Sequence, residues 1–169
     1  GRVRAKELKP DCIILLEDMW RTHADPKIVA SYIETHDKLV AAGYKVYEIP
    51  MERECRTMVA DARRGKNMYA LGMLCYIYSL ELKLAMDQIV LAFGNKDQSV
   101  VDANIMLLEA GHKWAEANLD FCYSIPAVRS TEPQIVVNGN TALALGVLAS
   151  GMEICAMYPI TPATSASHY

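Results

Sequence analysis

Two short segments near the C-terminus combine residue types that could hold a ligand. The first is Asn-Gly-Asn-Thr-Ala-Leu-Ala-Leu-Gly over residues 138–146, and the second is Tyr-Pro-Ile-Thr-Pro over residues 158–162. Pro159 and Pro162 stiffen the second segment and favour one orientation of Thr161. Thr161 also stands where a helix is expected to begin, next to N–H groups that have no partner within the helix. Such a position suits a carboxylate or another anion.

The elements that would position these segments follow from apolar runs and from glycine and proline. Two runs predict buried strands of a parallel sheet, and each strand is followed by a helix. We expect a strand at 134–138, a tight turn at Gly139-Asn140 and a helix at 141–150 that ends at Gly151. A second strand should follow at 154–158, and a second helix should begin at Thr161. Small side chains at Ala142, Ala144 and Gly146 would let that helix lie close to the sheet. Ligands bind at the carboxyl ends of such strands.

The N-terminal part predicts another strand–helix–strand unit. Cys12–Leu16 is an apolar run typical of a buried strand, and Asp25-Pro26 predicts a helix start that continues to about Ala42 and ends at Gly43. A strand over Tyr44–Ile49, closed by Pro50, completes the unit, which should be parallel with a right-handed crossover.

Helical periodicity then dominates to about Leu119. We predict helices at about 51–60, 67–80, 82–93 and 98–117, with a break over Asp61–Lys66 and a possible kink at Gly111. Residues 120–133 are rich in proline, serine and threonine and predict a linker. The expected organisation is therefore residues 1–119, a linker over 120–133, and residues 134–169.

Composition excludes several classes of protein. The 169 residues are 52% hydrophobic and 22% charged, which is typical of a globular protein. A net charge of −3 gives no electrostatic reason to expect nucleic acid or an anionic membrane as partner. The longest apolar stretch, Met68–Leu80, is too short to cross a membrane.

Cysteine and histidine spacing predicts neither disulfides nor a metal centre. The five cysteines are widely spaced and never form Cys-x-x-Cys, which indicates a reducing, cytoplasmic location and no iron–sulfur cluster held by this chain alone. The first residues lack the apolar region of a signal peptide. His36 and His112 have no second ligand at metal spacing, so we predict no metal site.

The two C-terminal segments resemble the alpha subunit of 2-oxoacid:ferredoxin oxidoreductases. Its pattern is Gly-Asn-x-Ala-x-Ala-x-Gly followed by Tyr-Pro-Ile-Thr-Pro, and residues 139–146 and 158–162 match every position. Upstream, Asn-Met-Tyr-Ala-Leu-Gly over residues 67–72 resembles the Asn-Met-x-Ala-Leu-Gly helix of the gamma subunit. Together they resemble a fused gamma–alpha subunit, most like that of 2-oxoglutarate enzymes.

The resemblance implies an α/β fold in two parts. Residues 1–119 would be the C-terminal part of a Rossmann-like gamma domain with a helical tail, its N-terminal part missing. Residues 134–169 would be the first βαβ elements of a truncated thiamine-diphosphate pyrimidine-binding domain. We expect the glutamate that activates thiamine to lie beyond Tyr169.

The same resemblance implies the chemistry and its residues. Thr161 would face the thiamine and the 2-oxoacid, with the backbone of Tyr158, Pro159 and Ile160 near the aminopyrimidine. Thiamine diphosphate with Mg would be shared with a beta subunit that holds the diphosphate half-site and an iron–sulfur cluster. Coenzyme A would accept the acyl group and ferredoxin the electrons. Family members often carry an acidic residue soon after the Thr-Pro pair, whereas residues 163–168 here have none.

Alternatives remain at this point. A Pro-x-x-Pro turn with a helix-capping threonine is the commoner role of such residues when each motif is taken alone, although the paired motifs favour the thiamine site. The chain could also be a non-catalytic assembly or coenzyme A-docking module, or could act on pyruvate or an aromatic 2-oxoacid.

Three further sets of residues have a functional and a structural interpretation. Arg63-Arg-Gly-Lys66 could hold a phosphate such as one of coenzyme A, but a solvated basic loop is favoured. Trp20, His23 and Asp25 follow the first strand, where ordinary loop packing is favoured over ligand binding. Methionines at helical apolar positions are expected to fill the core: Met58, Met68, Met73, Met86 and Met106.

Overall fold

The structure is a computed structural model that describes residues 8–126, 130–161 and 163–167. The chain divides into two compact units, Gly1–Ile125 (unit 1) and Pro126–Tyr169 (unit 2). Among the described residues, unit 1 contains two strands and five α-helices, and unit 2 contains two α-helices. No helix among the described residues is long and apolar enough to cross a lipid bilayer.

Unit 1 begins with the predicted strand–helix–strand unit. Strand β1 (Ile13–Glu17) pairs in parallel with β2 (Lys45–Ile49), so that Ile13 lies opposite Lys45. Helix α1 (Pro26–Ala41) connects them after a short 3-10 turn over Asp18–Thr22. The Asp25 carboxylate caps α1 by accepting from the Lys27 N–H at 2.9 Å. Gly43 follows the helix with a φ of +85°, a conformation that favours glycine.

Four helices complete unit 1: α2 (Met51–Met58), α3 (Ala62–Ile77), α4 (Leu82–Phe93) and α5 (Gln98–Asn118). The main core lies between β2, α2, α3 and α5, and its buried residues are Ile49, Cys55, Ala62, Tyr69, Met73, Ile77, Leu107, Ala115 and Leu119. Met58 and Met68 pack against this core as expected, whereas Met106 is exposed, so its assignment as a core residue was wrong.

Helices α3 and α5 cross with their backbones in contact, because each has a glycine at the crossing. A Cβ added to Gly72 would lie 1.9 Å from the Leu108 carbonyl oxygen. A Cβ on Gly111 would lie 1.9 Å from the Tyr69 carbonyl oxygen. Helix α5 continues unbroken through Gly111, so this residue serves close helix packing and does not interrupt the helix.

The predicted break over residues 61–66 is wrong. Helix α3 begins at Ala62, and Asp61 caps it by accepting from the Arg63 N–H at 3.2 Å. Gly65 lies inside the helix, where a Cβ would approach a Leu107 methyl carbon to 2.8 Å. The run of basic residues resembled a loop, but the cap immediately before it starts the helix.

Unit 2 contains the two predicted helices but not the two predicted strands. Helix α6 (Gly139–Ala149) begins directly after Asn138, so the expected Gly139-Asn140 turn is its first turn, and α7 (Ala163–Ser167) is short. Gly151 ends α6 with a φ of +76°. Segments 134–138 and 154–158 are irregular. A strand needs a hydrogen-bonded neighbour, and none of the described residues pairs with either segment.

Candidate functional site

The Tyr158–Thr161 segment forms a tight turn held by its own backbone. The Ile160 N–H donates to the Tyr158 carbonyl at 2.8 Å, which closes a three-residue turn around Pro159. The φ that proline imposes on the central residue suits this turn. Tyr158 is 79% exposed and Ile160 59% exposed, and Thr161 is also exposed. All three side chains are therefore accessible to a ligand.

Helix α7 holds the turn from its C-terminal side. The Thr164 N–H donates to the Ile160 carbonyl at 3.1 Å, and the Thr164 hydroxyl donates to the same oxygen at 3.3 Å. Two bonds to one carbonyl fix the direction of the backbone at Ile160, immediately before Thr161. Pro162 lies outside the described residues, so its predicted effect on Thr161 stays a prediction.

The Gly-Asn motif forms the start of helix α6. The Asn138 side-chain oxygen accepts from the Thr141 N–H at 2.9 Å and from its hydroxyl at 3.2 Å. Thr141 is buried, with 3% of its surface exposed. This cap fixes the first turn of α6 and hence the backbone of Asn140, which lies within it.

One side-chain hydrogen bond joins the Gly-Asn motif to helix α7, which follows the Tyr158–Thr161 turn. The Asn140 amide donates to the Ser165 hydroxyl of α7 at 2.6 Å, across 25 positions of sequence. The sequence predicted Asn140 only as part of a tight turn, and this bond was not predicted. The match to the Gly-Asn motif was the signal available, but it does not identify a partner.

A separate cavity of about 320 Å³ lies within unit 2. Its lining is almost wholly apolar and comes from α6, α7 and the segment between them: Leu143, Ala144, Val147, Leu148, Cys155, Met157, Ala163, Ala166 and Ser167. None of the predicted site residues is among these. The turn and the cavity are therefore distinct features of unit 2.

The described residues at the turn are uncharged. Among the described residues of unit 2, only Glu132 and Glu153 are charged. Across the described chain, no three histidine, cysteine or carboxylate side chains are grouped as a metal site would require. The groups that the turn exposes are therefore a phenol ring, an aliphatic side chain and the Thr161 hydroxyl.

The basic segment of α3 is already paired with carboxylates. The Lys66 ammonium lies 2.5 Å from a Glu52 oxygen and 3.6 Å from a Glu17 oxygen. Burial lowers the pKa of Lys66, but the bonds to Glu52 and Glu17 outweigh this and raise it. Arg63 pairs with Asp61 at 3.1 Å and is largely exposed. Lys66 is thus a partner of two carboxylates, one at the end of β1 and one in the first turn of α2, and is not part of a phosphate-binding loop ahead of a helix.

The residues after β1 pack locally, as expected. The Trp20 and His23 rings lie 5.7 Å apart, and His23 Nδ1 accepts from the Asp25 N–H at 3.0 Å. A nearby cluster was missed, because its members are far apart in sequence. The Glu48 carboxylate accepts from the Arg21 guanidinium at 2.8 Å and from the Tyr32 hydroxyl at 2.6 Å. Burial raises the pKa of Glu48, and these bonds outweigh it and lower that pKa.

Comparison with known proteins gives one consistent group. Residues 2–114 match the family described as pyruvate ferredoxin/flavodoxin oxidoreductase. The 2-oxoglutarate oxidoreductase subunit KorA of Mycobacterium tuberculosis is 34% identical over 116 residues, which cover 64% of this chain and 18% of that protein. The 2-oxoacid:ferredoxin oxidoreductase subunit alpha of Saccharolobus solfataricus is 24% identical over 143 residues, 83% of this chain and 22% of that protein.

A solved structure extends the similarity over both units. The 2-oxoglutarate:ferredoxin oxidoreductase of Magnetococcus marinus, solved with 2-oxoglutarate, coenzyme A and succinyl-CoA bound, has a TM-score of 0.73 and 25% identity. It covers 98% of this chain, and this chain covers 27% of it. The chain thus spans between about a fifth and a quarter of the length of these relatives. The family match over more than half of its residues shows that the chain belongs to the pyruvate ferredoxin/flavodoxin oxidoreductase family.

Proposed function

We propose that this chain is part of a 2-oxoacid:ferredoxin oxidoreductase that catalyses thiamine-dependent, coenzyme A-linked oxidative decarboxylation. The observation that carries the proposal is the exposed Tyr158–Thr161 turn, closed by the Ile160–Tyr158 bond, within a chain of this family. Residues 1–119 would be the gamma-type domain and residues 134–169 the start of the pyrimidine-binding domain, joined by a linker over 120–133.

The turn would bind and orient the reactants. Thiamine diphosphate, when bound, supplies the carbon that adds to the 2-oxo group and accepts the electrons released as CO2 leaves. The Thr161 hydroxyl would donate a hydrogen bond to an oxygen of the 2-oxoacid, and the fixed Ile160 carbonyl limits its range of orientations. The exposed Tyr158 and Ile160 side chains would cover the aminopyrimidine and exclude water from one side of it.

The rest of the cofactor set would come from a partner. The described residues of unit 2 offer no cation and no group of metal ligands. We assign the diphosphate half-site, its Mg and the iron–sulfur cluster to a beta subunit, as the family resemblance implies. Coenzyme A would accept the acyl group and ferredoxin the electrons, as the names of the Saccharolobus and Magnetococcus proteins suggest.

Within this reaction, 2-oxoglutarate is the substrate that we favour. The mycobacterial relative and the Magnetococcus structure are both named for it. Pyruvate is the specific rival, because the matching family is described by that substrate. An aromatic 2-oxoacid, or a module that only docks coenzyme A or assembles the complex, has no described contact in its favour.

The test is reduction of ferredoxin or a viologen by the assembled complex with a panel of 2-oxoacids. We expect 2-oxoglutarate to give the highest kcat/KM, and Thr161→Ala to lower kcat/KM by about 100-fold because it removes a hydrogen-bond donor at the reaction site. Thr161→Ser keeps the hydroxyl and should retain most of the activity. Unchanged turnover in Thr161→Ala would show that the role of Thr161 is wrong, while a preference for pyruvate would overturn only the substrate.

A further inference from the structure

We propose that Asn140 is a positioning residue that sets the placement of the Tyr158–Thr161 turn through Ser165. This inference rests on the proposed function, because it concerns the same turn. Asn140 belongs to the Gly-Asn motif that follows segment 134–138, and its side chain bonds to Ser165 of α7. Neither the motif match nor the comparisons give this side chain a role.

Asn140 is fixed on its own side. The Asn138 cap and the buried Thr141 hold the first turn of α6, with hydrogen bonds of 2.9 Å and 3.2 Å between them. Asn140 itself is partly buried. Its amide therefore projects from a backbone that has little freedom to move, which a positioning group requires.

The other end of the bond is coupled to the turn. Ser165 lies in α7 next to Thr164, and Thr164 bonds twice to the Ile160 carbonyl. The Ile160 N–H in turn closes the turn at Tyr158. The Asn140–Ser165 bond, the peptide link between Ser165 and Thr164 and the two bonds from Thr164 to Ile160 thus join the start of α6 to the backbone immediately before Thr161.

The distance and the donor arrangement define the chemistry of the contact. At 2.6 Å, the amide nitrogen of Asn140 donates to the Ser165 oxygen. An aspartate at position 140 can accept from the serine hydroxyl, so the contact survives with its direction reversed. Alanine at either position removes it. The bond can therefore be removed by alanine at position 140 or 165, and it can be restored by aspartate at position 140.

The experiment measures 2-oxoacid-dependent viologen reduction by the assembled complex for Asn140→Ala, Ser165→Ala, their double variant and Asn140→Asp. We expect each alanine variant to lower kcat/KM by about 10-fold, since displacement of an orienting group on this scale has such effects. The double variant should be no worse than either single variant. Asn140→Asp should retain activity within about threefold. Ser150→Ala removes a bond at the opposite end of α6 and serves as the matched control.

Hydrogen exchange of the complex without substrate gives a readout that does not depend on turnover. Asn140→Ala and Ser165→Ala should speed exchange of the Ile160 and Thr164 amides, and Ser150→Ala should not. Additive losses of activity, or a loss with Asn140→Ala but not Ser165→Ala, would instead indicate direct contact with a reactant and overturn the inference. Unchanged exchange would also overturn it. If the wild-type complex reduces no acceptor with any 2-oxoacid, the proposed function fails, and the exchange result still decides the role of Asn140.

Discussion

The two units bury their apolar residues to different extents. In unit 1, residues such as Tyr69, Leu107 and Leu108 are almost fully buried between helices. In unit 2, Val136 is fully exposed and Ile154 is 84% exposed, although both belong to runs that are typical of buried strands. The candidate site lies in the less packed unit. Its turn is held mainly by hydrogen bonds, whereas unit 1 is held by close contact between helices.

Glycines show the same contrast at the level of single atoms. Gly72 and Gly111 sit where another helix leaves no room for a Cβ. Gly139 and Gly146 of α6 have no heavy atom within 4 Å of the position that a Cβ would take. The packing of α3 against α5 therefore depends on their glycines. Within the described residues, the packing of α6 does not.

The largest effect should follow from filling the crossing of α3 and α5. Gly72→Ala and Gly111→Ala each place a Cβ 1.9 Å from a backbone carbonyl oxygen, so the helices must move apart. Backbone atoms cannot rotate away as a side chain would, and we expect a loss of about 3 kcal/mol or more in the free energy of unfolding. Urea denaturation followed by far-ultraviolet circular dichroism measures it. A loss below about 1 kcal/mol would show that the helices are not in such close contact.

The next largest effect should come from removing the cation between Glu17 and Glu52. Lys66→Met leaves two carboxylates with small exposed fractions, 19% and 12%, without their ammonium partner. We expect a loss of about 1 to 2 kcal/mol at pH 7. Lys83→Met is the matched control, because its ion pair with Asp87 is exposed and should contribute no more than about 0.5 kcal/mol. Equal effects of the two substitutions would contradict the distinction.

The loss in Lys66→Met should shrink in acid. The hydrogen bond from Lys66 lowers the pKa of Glu52 from 4.5, with burial opposing it and Arg56 adding to it. A lowered folded pKa means that this stability is present above about pH 4.5 and is lost as the pH falls through the folded value. Denaturation at pH 7 and at about pH 3 should therefore show a larger difference between wild type and variant at pH 7. A difference that does not change with pH would mean that Lys66 acts through packing.

The sequence predicted those features of the fold that depend on residues close together in the chain. Asp25-Pro26 and Gly43 predicted both ends of α1, because caps and left-handed residues act within a few positions. The parallel pairing of β1 and β2 also followed from the short connections between the elements. The start of α3 was missed, although Asp61 is a good cap, because the basic run after it resembled a loop.

The features that the sequence could not predict depend on contacts between residues that are far apart in the chain. Segments 134–138 and 154–158 have the composition of strands, but pairing requires neighbours that local composition does not specify. The bonds from Arg21 to Glu48 and from Asn140 to Ser165 join residues 27 and 25 positions apart. Thr161 was proposed from a motif match, and its role stays a prediction. Knowledge of the turn geometry came only from the structure.

Removing a helix cap should have a smaller effect on stability than filling the packed core. Asn138→Ala removes the side chain that accepts from Thr141, and we expect the start of α6 to lose about 1 kcal/mol of local stability. Hydrogen exchange at residues 141–144 should become about fivefold faster. Asp61→Ala, which removes the cap of α3, is the matched comparison in unit 1. If α6 amides exchange at the wild-type rate in Asn138→Ala, the cap does not stabilise the helix.

The smallest effect on stability is expected at Gly146, where the substitution should stabilise the helix. Alanine there meets no atom within 4 Å and favours a helix by up to about 1 kcal/mol over glycine, so Gly146→Ala should slow hydrogen exchange in α6 of the isolated chain. In the assembled complex the same substitution tests whether α6 lies close against a sheet, as its small residues predict. Lower activity of the complex with a more stable α6 in the isolated chain would show that Gly146 serves packing that only assembly provides. Destabilisation of α6 in the isolated chain would remove the contrast between the glycines of the two units.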